Sequence, residues 1–196
     1  TNVSHALTVS FGFDSVDQPP RVKGYLQEDR WGEGLGSRRE LDGILGELLP
    51  GCDLPSWLPE SRRIGVITWV ARPDGSSGFK AYLGGESAIA AAAGAPQAVL
   101  SQARRMQELC PLRRSWWYLT IRCEADRSPR YAINKIYNHV QVGFGAPELL
   151  GRAWSEVGGL FRAVGGEALL EEVRKGADPD LRLVPTATAW EVGRSA

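Results

Sequence analysis

The tripeptide Lys-x-Tyr occurs three times, at Lys23-Gly-Tyr25, Lys80-Ala-Tyr82 and Lys135-Ile-Tyr137, at intervals of 57 and 55 residues. Each copy follows a turn-rich stretch that is preceded by an apolar run, the setting of the second strand of a β-hairpin. Strand side chains alternate faces, so a Lys and a Tyr two apart point the same way. Three such hairpins in one sheet would set three ammonium groups and three phenols on one surface, with Arg21 adding a cation beside Lys23. That surface suits a multiply charged anion such as a diphosphate. A single copy would carry nothing, because Tyr favours strands and Lys blunts exposed edges. The recurrence in the same half of each hairpin carries the reading.

Two acids stand near this surface. Asp14 falls on the polar face of the first strand, and Glu124 on the face shared with Trp116, Tyr118 and Thr120. Either could act as the base that takes a proton from an aromatic acceptor. A strand-end acid beside Arg72 or Arg122 is equally the pattern of a surface ion pair. Trp116 and Tyr118 would line the site, whereas adjacent Trp117 points to the other face. With His5 and His139 the two histidines, and no Cys-x-x-Cys among Cys52, Cys110 and Cys123, no metal site is expected. The cysteines read as buried, reduced thiols of a cytoplasmic protein. Gly32-Glu-Gly34-Leu-Gly36 lacks both a Walker lysine and a preceding parallel strand, so it is no nucleotide loop.

The elements that must hold these residues repeat in order. Ala6 to Asp14 alternates Val9, Phe11 and Phe13 against Thr8, Ser10 and Asp14; the turn SVDQPP and the strand RVKGYLQ follow. Ser37-Arg-Arg-Glu40 is a capping box opening a helix on Leu41, Ile44, Leu45 and Leu48. The second unit has a strand from Ile64 to Arg72, turn residues 73–78, the strand FKAYL, then helices over Glu86 to Ala93 and Gln97 to Leu109. In the third, strands Trp116 to Ala125 and Arg130 to Tyr137 precede a helix from Pro147 through Leu150, Trp154, Val157 and Phe161. A shorter helix near Gly166 to Lys175 and a closing strand, Leu181 to Glu191, complete the chain. The expectation is an α+β fold over residues 1–196 as one domain. Its ββα units lie at about 6–50, 64–110 and 115–176, with a closing strand at 181–191. A polar strand face inside a helical jacket implies an antiparallel β-barrel or strongly curved sheet around a ligand space.

Composition narrows the class. There are 23 basic and 23 acidic residues, and the formal net charge is zero. A nucleic-acid partner is therefore not expected. No apolar run approaches membrane-spanning length, so neither is a membrane partner. The first residues, Thr1 to His5, carry no signal-peptide pattern and read as those of a trimmed chain or a piece of a longer product.

In its ordered motifs the chain resembles the ABBA aromatic prenyltransferases, whose second hairpin strands carry Lys-x-Tyr or Arg-x-Lys-x-Tyr elements. Arg21-Val-Lys23-Gly-Tyr25 matches the longer form; Lys80-Ala-Tyr82 and Lys135-Ile-Tyr137 match the shorter. The run from Ile67 to Leu83, ending SSGFKAYL, is similar to the indole-prenylating branch in its strand, turn and strand order. The resemblance implies transfer of a prenyl group from an allylic diphosphate to an indole, a phenol or an aromatic peptide side chain. Arg21, Lys23, Lys80 and Lys135 would hold the diphosphate, and Tyr25, Tyr82 and Tyr137 would shield the cation. No cofactor would be required, and Mg²⁺ would be optional. That family uses more units than the three present here. A smaller barrel, a further unit, or a second copy or partner chain completing the barrel would reconcile the two. The alternative is a non-catalytic module on a degenerate barrel that binds a small molecule or peptide.

Overall fold

A computed structural model describes residues 5–12, 21–28, 36–39, 42–43, 46, 54–60, 63–72, 75–113, 115–124, 128–145, 147–176 and 183–192. The fold is mixed α+β with an antiparallel sheet that is not closed into a barrel. Its strands are β1 (His5–Gly12), β2 (Arg21–Glu28), β5 (Val66–Ala71), β6 (Ser77–Gly85), β7 (Ser115–Glu124), β8 (Arg130–Tyr137) and β9 (Ala187–Glu191). They are hydrogen-bonded in the order β1-β2-β5-β6-β7-β8-β9, with β1 and β9 as end strands; β3 (Gly36–Ser37) and β4 (Arg63–Ile64) form a separate pair. Barrel closure would need each end strand to find a partner on its open side, at a matching tilt and stagger. The barrel half of the expectation is thus corrected to an open sheet, with hairpins where the turn chemistry places them.

The chain divides into two compact units that interleave in sequence. The first comprises Thr1–Gly84, Gly94–Pro96 and Leu119–Ala132. Within it β1 pairs β2 with Ser10 opposite Lys23 and Thr8 opposite Tyr25. Pairing continues through β5 into β6, which aligns Tyr25, Thr68 and Lys80 on one rung and Lys23, Val70 and Gly78 on the next. Directly opposed residues share a face, so these rungs build one polar surface. The alternate residues Ile67, Phe79, Ala81 and Leu83 are buried. Trp57 donates its indole N–H to the Tyr131 hydroxyl at 3.1 Å, and Arg38 Nη1 donates to the Leu58 carbonyl at 2.6 Å. The described residues 38, 39, 42, 43 and 46 of the expected first helix are helical; the side chains of Leu41, Ile44, Leu45 and Leu48 lie outside the description.

The second unit comprises Gly85–Ala93, Gln97–Tyr118 and Ile133–Ala196. It contains α1 (Ala88–Ala91), α2 (Gln97–Leu109), α3 (His139–Phe144), α4 (Pro147–Ala163) and α5 (Glu167–Gly176). Ser87 caps α1 by accepting from the Ala90 amide at 3.1 Å, and Pro147 opens α4 where its missing N–H costs nothing. Helix α2 buries Val99, Ala103 and Met106, one stripe at helical spacing. The stripe expected for α4, Leu150, Trp154, Val157 and Phe161, is rotated by about one residue: Ala153, Glu156, Val157 and Leu160 are the buried set. Leu112, Tyr137, Val142 and Ala153 form a core cluster, flanked by Leu149, Leu150 and Val184. The sequence reading missed α3, although Asn138 caps it by accepting from the Gln141 amide at 3.1 Å. Gly85 sits where a Cβ would come within 2.4 Å of the Ala91 amide nitrogen, so the strand end lies directly on α1. No described helix is long and apolar enough to cross a membrane.

Candidate functional site

Two constellations contain the motif residues, one in each unit. In the first unit, Lys23 of β2 and Lys80 of β6 line a cavity of about 90 Å³ together with Arg72, Arg122 and Glu124. Strands in a sheet lie about 4.8 Å apart, so β2 and β6, separated by β5, are roughly 10 Å apart. Two extended Lys side chains can reach one small anion across that gap. Gly78 leaves the room: a Cβ there would meet the Cys123 carbonyl oxygen at 2.9 Å and Glu124 Cγ at 3.2 Å. Tyr25 and Tyr82 share this polar face. Burial raises the Tyr82 phenol above its ordinary pKa, and the neighbouring Tyr25 adds to this.

Glu124 is the carboxylate of this cavity, with its side chain only 12% exposed. Its Oε1 accepts from Arg72 Nη2 at 2.9 Å and from Arg122 Nη2 at 2.6 Å. Arg130 Nη2 reaches Oε2 at 3.4 Å. Partial burial pushes the acid up, but Arg122 and then Arg72 outweigh it and hold the pKa below the usual carboxylate range. A carboxylate held this way is a weak proton acceptor. The ion-pair reading of Glu124 is the one its geometry matches.

The third Lys-x-Tyr is placed otherwise, inside the second unit. Lys135 is 0% exposed and Glu156, on α4, is 5% exposed. Lys135 Nζ donates to Glu156 Oε2 at 2.8 Å and to the Cys110 carbonyl at 2.7 Å. The Tyr137 hydroxyl donates to the same Oε2 at 2.9 Å, and the Leu112 amide donates to Oε1. Lys135 Nζ also lies 5.1 Å from the centre of the Trp117 ring and 5.3 Å from that of Tyr137. Burial lowers the Lys135 pKa, although the bond to Glu156 works against it. Tyr137 is raised by burial and then by the Glu156 charge. All three donors converge on one carboxylate, which makes this a tertiary clamp between β8, α4 and the 110–112 segment. Lys135, expected to hold a diphosphate, and Tyr137, expected to shield the cation, are both closed off from solvent here.

The other expected residues fall as follows. Asp14 lies outside the described residues, as does the side chain of Arg21. Trp116 is 41% exposed, whereas Tyr118 and Thr120 are buried, so the aromatic lining is not an open row. Arg72 and Arg122, which the sequence marks only as partners for an acid, line the cavity as cations. Gly78 and Glu156 were not singled out. A second hollow, between α4 and α5, holds Arg162, Glu167, Glu171 and Arg174 in balanced charge. There Arg174 already stacks on Trp154 at 5.4 Å and bonds Glu171 at 3.2 Å. Among the described residues no group of three His, Cys, Asp or Glu could hold a metal. Comparison with family models, with curated proteins and with solved structures found no match.

The second unit's buried network carries a pH signature. Burial, and then the Glu156 charge, push the Cys110 thiol up to about 12 from an ordinary 9.0. The folded state therefore keeps a proton that the unfolded chain has already lost above pH 9. Stability from this thiol is intact below that point and falls as pH rises toward 12. Between pH 9 and 11, the wild type is expected to lose roughly a few degrees more of Tm than Cys110→Ala, read by circular dichroism. An equal decline in both proteins would contradict it.

Proposed function

We propose that the first unit binds the phosphate or diphosphate end of an organic ligand at the Lys23–Lys80 cavity, acting as a binding module. The observation that carries this is the lining itself: among the described residues, Lys23, Arg72, Lys80 and Arg122 face one carboxylate, Glu124. Four cations around one small hollow attract a polyanion, and partial burial strengthens that field relative to open water. At about 90 Å³ the cavity is far smaller than the roughly 300 Å³ or more that encloses an organic ligand. It suits a phosphoryl group, with the organic portion lying over the half-buried Tyr25 and Tyr82.

A second reading, aromatic prenyl transfer, is favoured by the two Lys-x-Tyr copies that share one strand face. It requires more than binding. An allylic cation must be kept from water and the acceptor must lose a proton. A small hollow on an open sheet and a carboxylate engaged by three arginines supply neither readily. Under this reading a second copy or partner chain would pair on an end strand and complete a barrel.

Calorimetry with pyrophosphate and with dimethylallyl diphosphate tests the first reading. Binding is expected for both, weakening as salt rises. It should persist in EDTA without added Mg²⁺, because the cavity supplies its own positive charge. No heat with either ligand at low salt would refute the binding reading. Incubating the protein with dimethylallyl diphosphate and a panel of indoles and phenols then separates the two. A product heavier by one prenyl group would establish the second reading; binding without such a product would leave the first.

A further inference from the structure

We infer that Glu124 is a resident anion, occupying the arginine donors of the cavity so that only a ligand carrying two or more negative charges displaces or outbids it. This deepens the anion-binding reading and rests on it. The geometry begins with the acceptor. Oε1 of Glu124 is shared by Arg72 at 2.9 Å and Arg122 at 2.6 Å, and Oε2 faces Arg130 at 3.4 Å. A carboxylate offers about four lone-pair positions, whereas three guanidiniums carry about fifteen N–H donors. Among the described residues the cluster is therefore donor-rich even with Glu124 in place. Arg72 already sends a second N–H, from Nη1, to the Ser76 hydroxyl at 3.3 Å. An arriving phosphoryl group has three acceptor oxygens for the donors that remain.

Charge decides which anions can use them. A carboxylate ligand brings the same charge as Glu124 and about the same number of acceptors, so it gains little by competing for Arg72 and Arg122. It also meets repulsion from Glu124 itself. A phosphate dianion or a diphosphate brings at least twice the charge to the same four cations, and its attraction grows in proportion. Gly78 fixes the competitor's position, since a side chain there would push against Glu124 Cγ at 3.2 Å. The carboxylate thus lies against the strand, beside the space that Lys23 and Lys80 line. Glu124 works as a threshold that sets the ligand class to phosphoryl polyanions and rejects carboxylates.

The test is Glu124→Gln, which keeps the shape and removes the charge. Inorganic phosphate, pyrophosphate and acetate are titrated by calorimetry against the full chain, with Glu124→Ala as a second variant. The wild type is expected to bind pyrophosphate most tightly, phosphate less tightly, and acetate not measurably. Both variants should bind phosphate about three- to ten-fold more tightly and gain measurable acetate binding. If both bind phosphate no better than the wild type while pyrophosphate binding persists in the wild type, Glu124 is only a clip that positions arginines, and the inference falls. If neither wild type nor variants bind pyrophosphate, the anion-binding reading itself fails, and this one with it. Matching circular dichroism spectra in all three proteins exclude misfolding as the source of a loss.

Discussion

Glu156→Ala is expected to cost about 3–5 kcal/mol of folding stability, the range for removing one partner of a buried ion pair. The carboxylate it deletes receives the Lys135 ammonium at 2.8 Å, the Tyr137 hydroxyl at 2.9 Å and the Leu112 amide. After deletion Lys135, 0% exposed in the wild type, keeps the Cys110 carbonyl at 2.7 Å but loses its charge partner. Its two nearby rings, Trp117 and Tyr137, offset only part of the lost charge partner. Urea unfolding followed by far-ultraviolet circular dichroism measures the loss. The informative control is the double variant Lys135→Met with Glu156→Leu. Apolar side chains of similar volume avoid the desolvation of both charges, so most of the loss should be recovered. A single Glu156→Ala within about 1 kcal/mol of wild type would mean that water or a rearranged side chain already serves Lys135.

This clamp shows where the sequence stops being informative. The strands and turns were legible because their signals are local: alternation in FKAYL, turn chemistry at 73–78, Pro147 at a helix start. Observed α2 and β8 coincide with the expected 97–109 and 130–137 spans. The first two Lys-x-Tyr copies share a surface because the register puts Tyr25, Thr68 and Lys80 on one rung. The third copy misled, since both faces of RYAINKIY mix polar and apolar residues. Ile133, Lys135 and Tyr137 turned out to be the buried set. Nothing in the strand itself distinguishes an exposed lysine from one sealed against a carboxylate 21 residues later. Likewise Glu156 interrupts the apolar stripe that α4 buries, so the sequence favours the neighbouring stripe of Leu150, Trp154, Val157 and Phe161. Burial there was set by long-range charge pairing, which has no period. The cavity was half legible: its lysines recur as a motif, but Arg72 and Arg122 enter through cross-strand placement and Gly78 through the absence of a side chain.

Replacing the three motif lysines one at a time should divide them sharply. Lys23→Ala and Lys80→Ala are each expected to weaken pyrophosphate binding by about 10- to 30-fold. A charge-assisted hydrogen bond is worth roughly 1.5–3 kcal/mol, and the half-buried setting calls for the lower part of that range. Both should also flatten the dependence of affinity on salt, because each removes one screened attraction. Lys135, introduced as methionine together with Glu156→Leu to preserve folding, should leave the affinity within about twofold. Its ammonium belongs to a sealed network in the second unit and contributes stability there. The three measurements are done by calorimetry on the same day's buffer, with the salt series repeated for each protein. Equal losses at all three positions would mean that one anion is held by the whole repeated motif, as the resemblance implied. A loss confined to Lys23 and Lys80 would mean that the same tripeptide does two physically different things. On β2 and β6 it would recruit an anion from solvent; on β8 it supplies the cation of a buried internal pair.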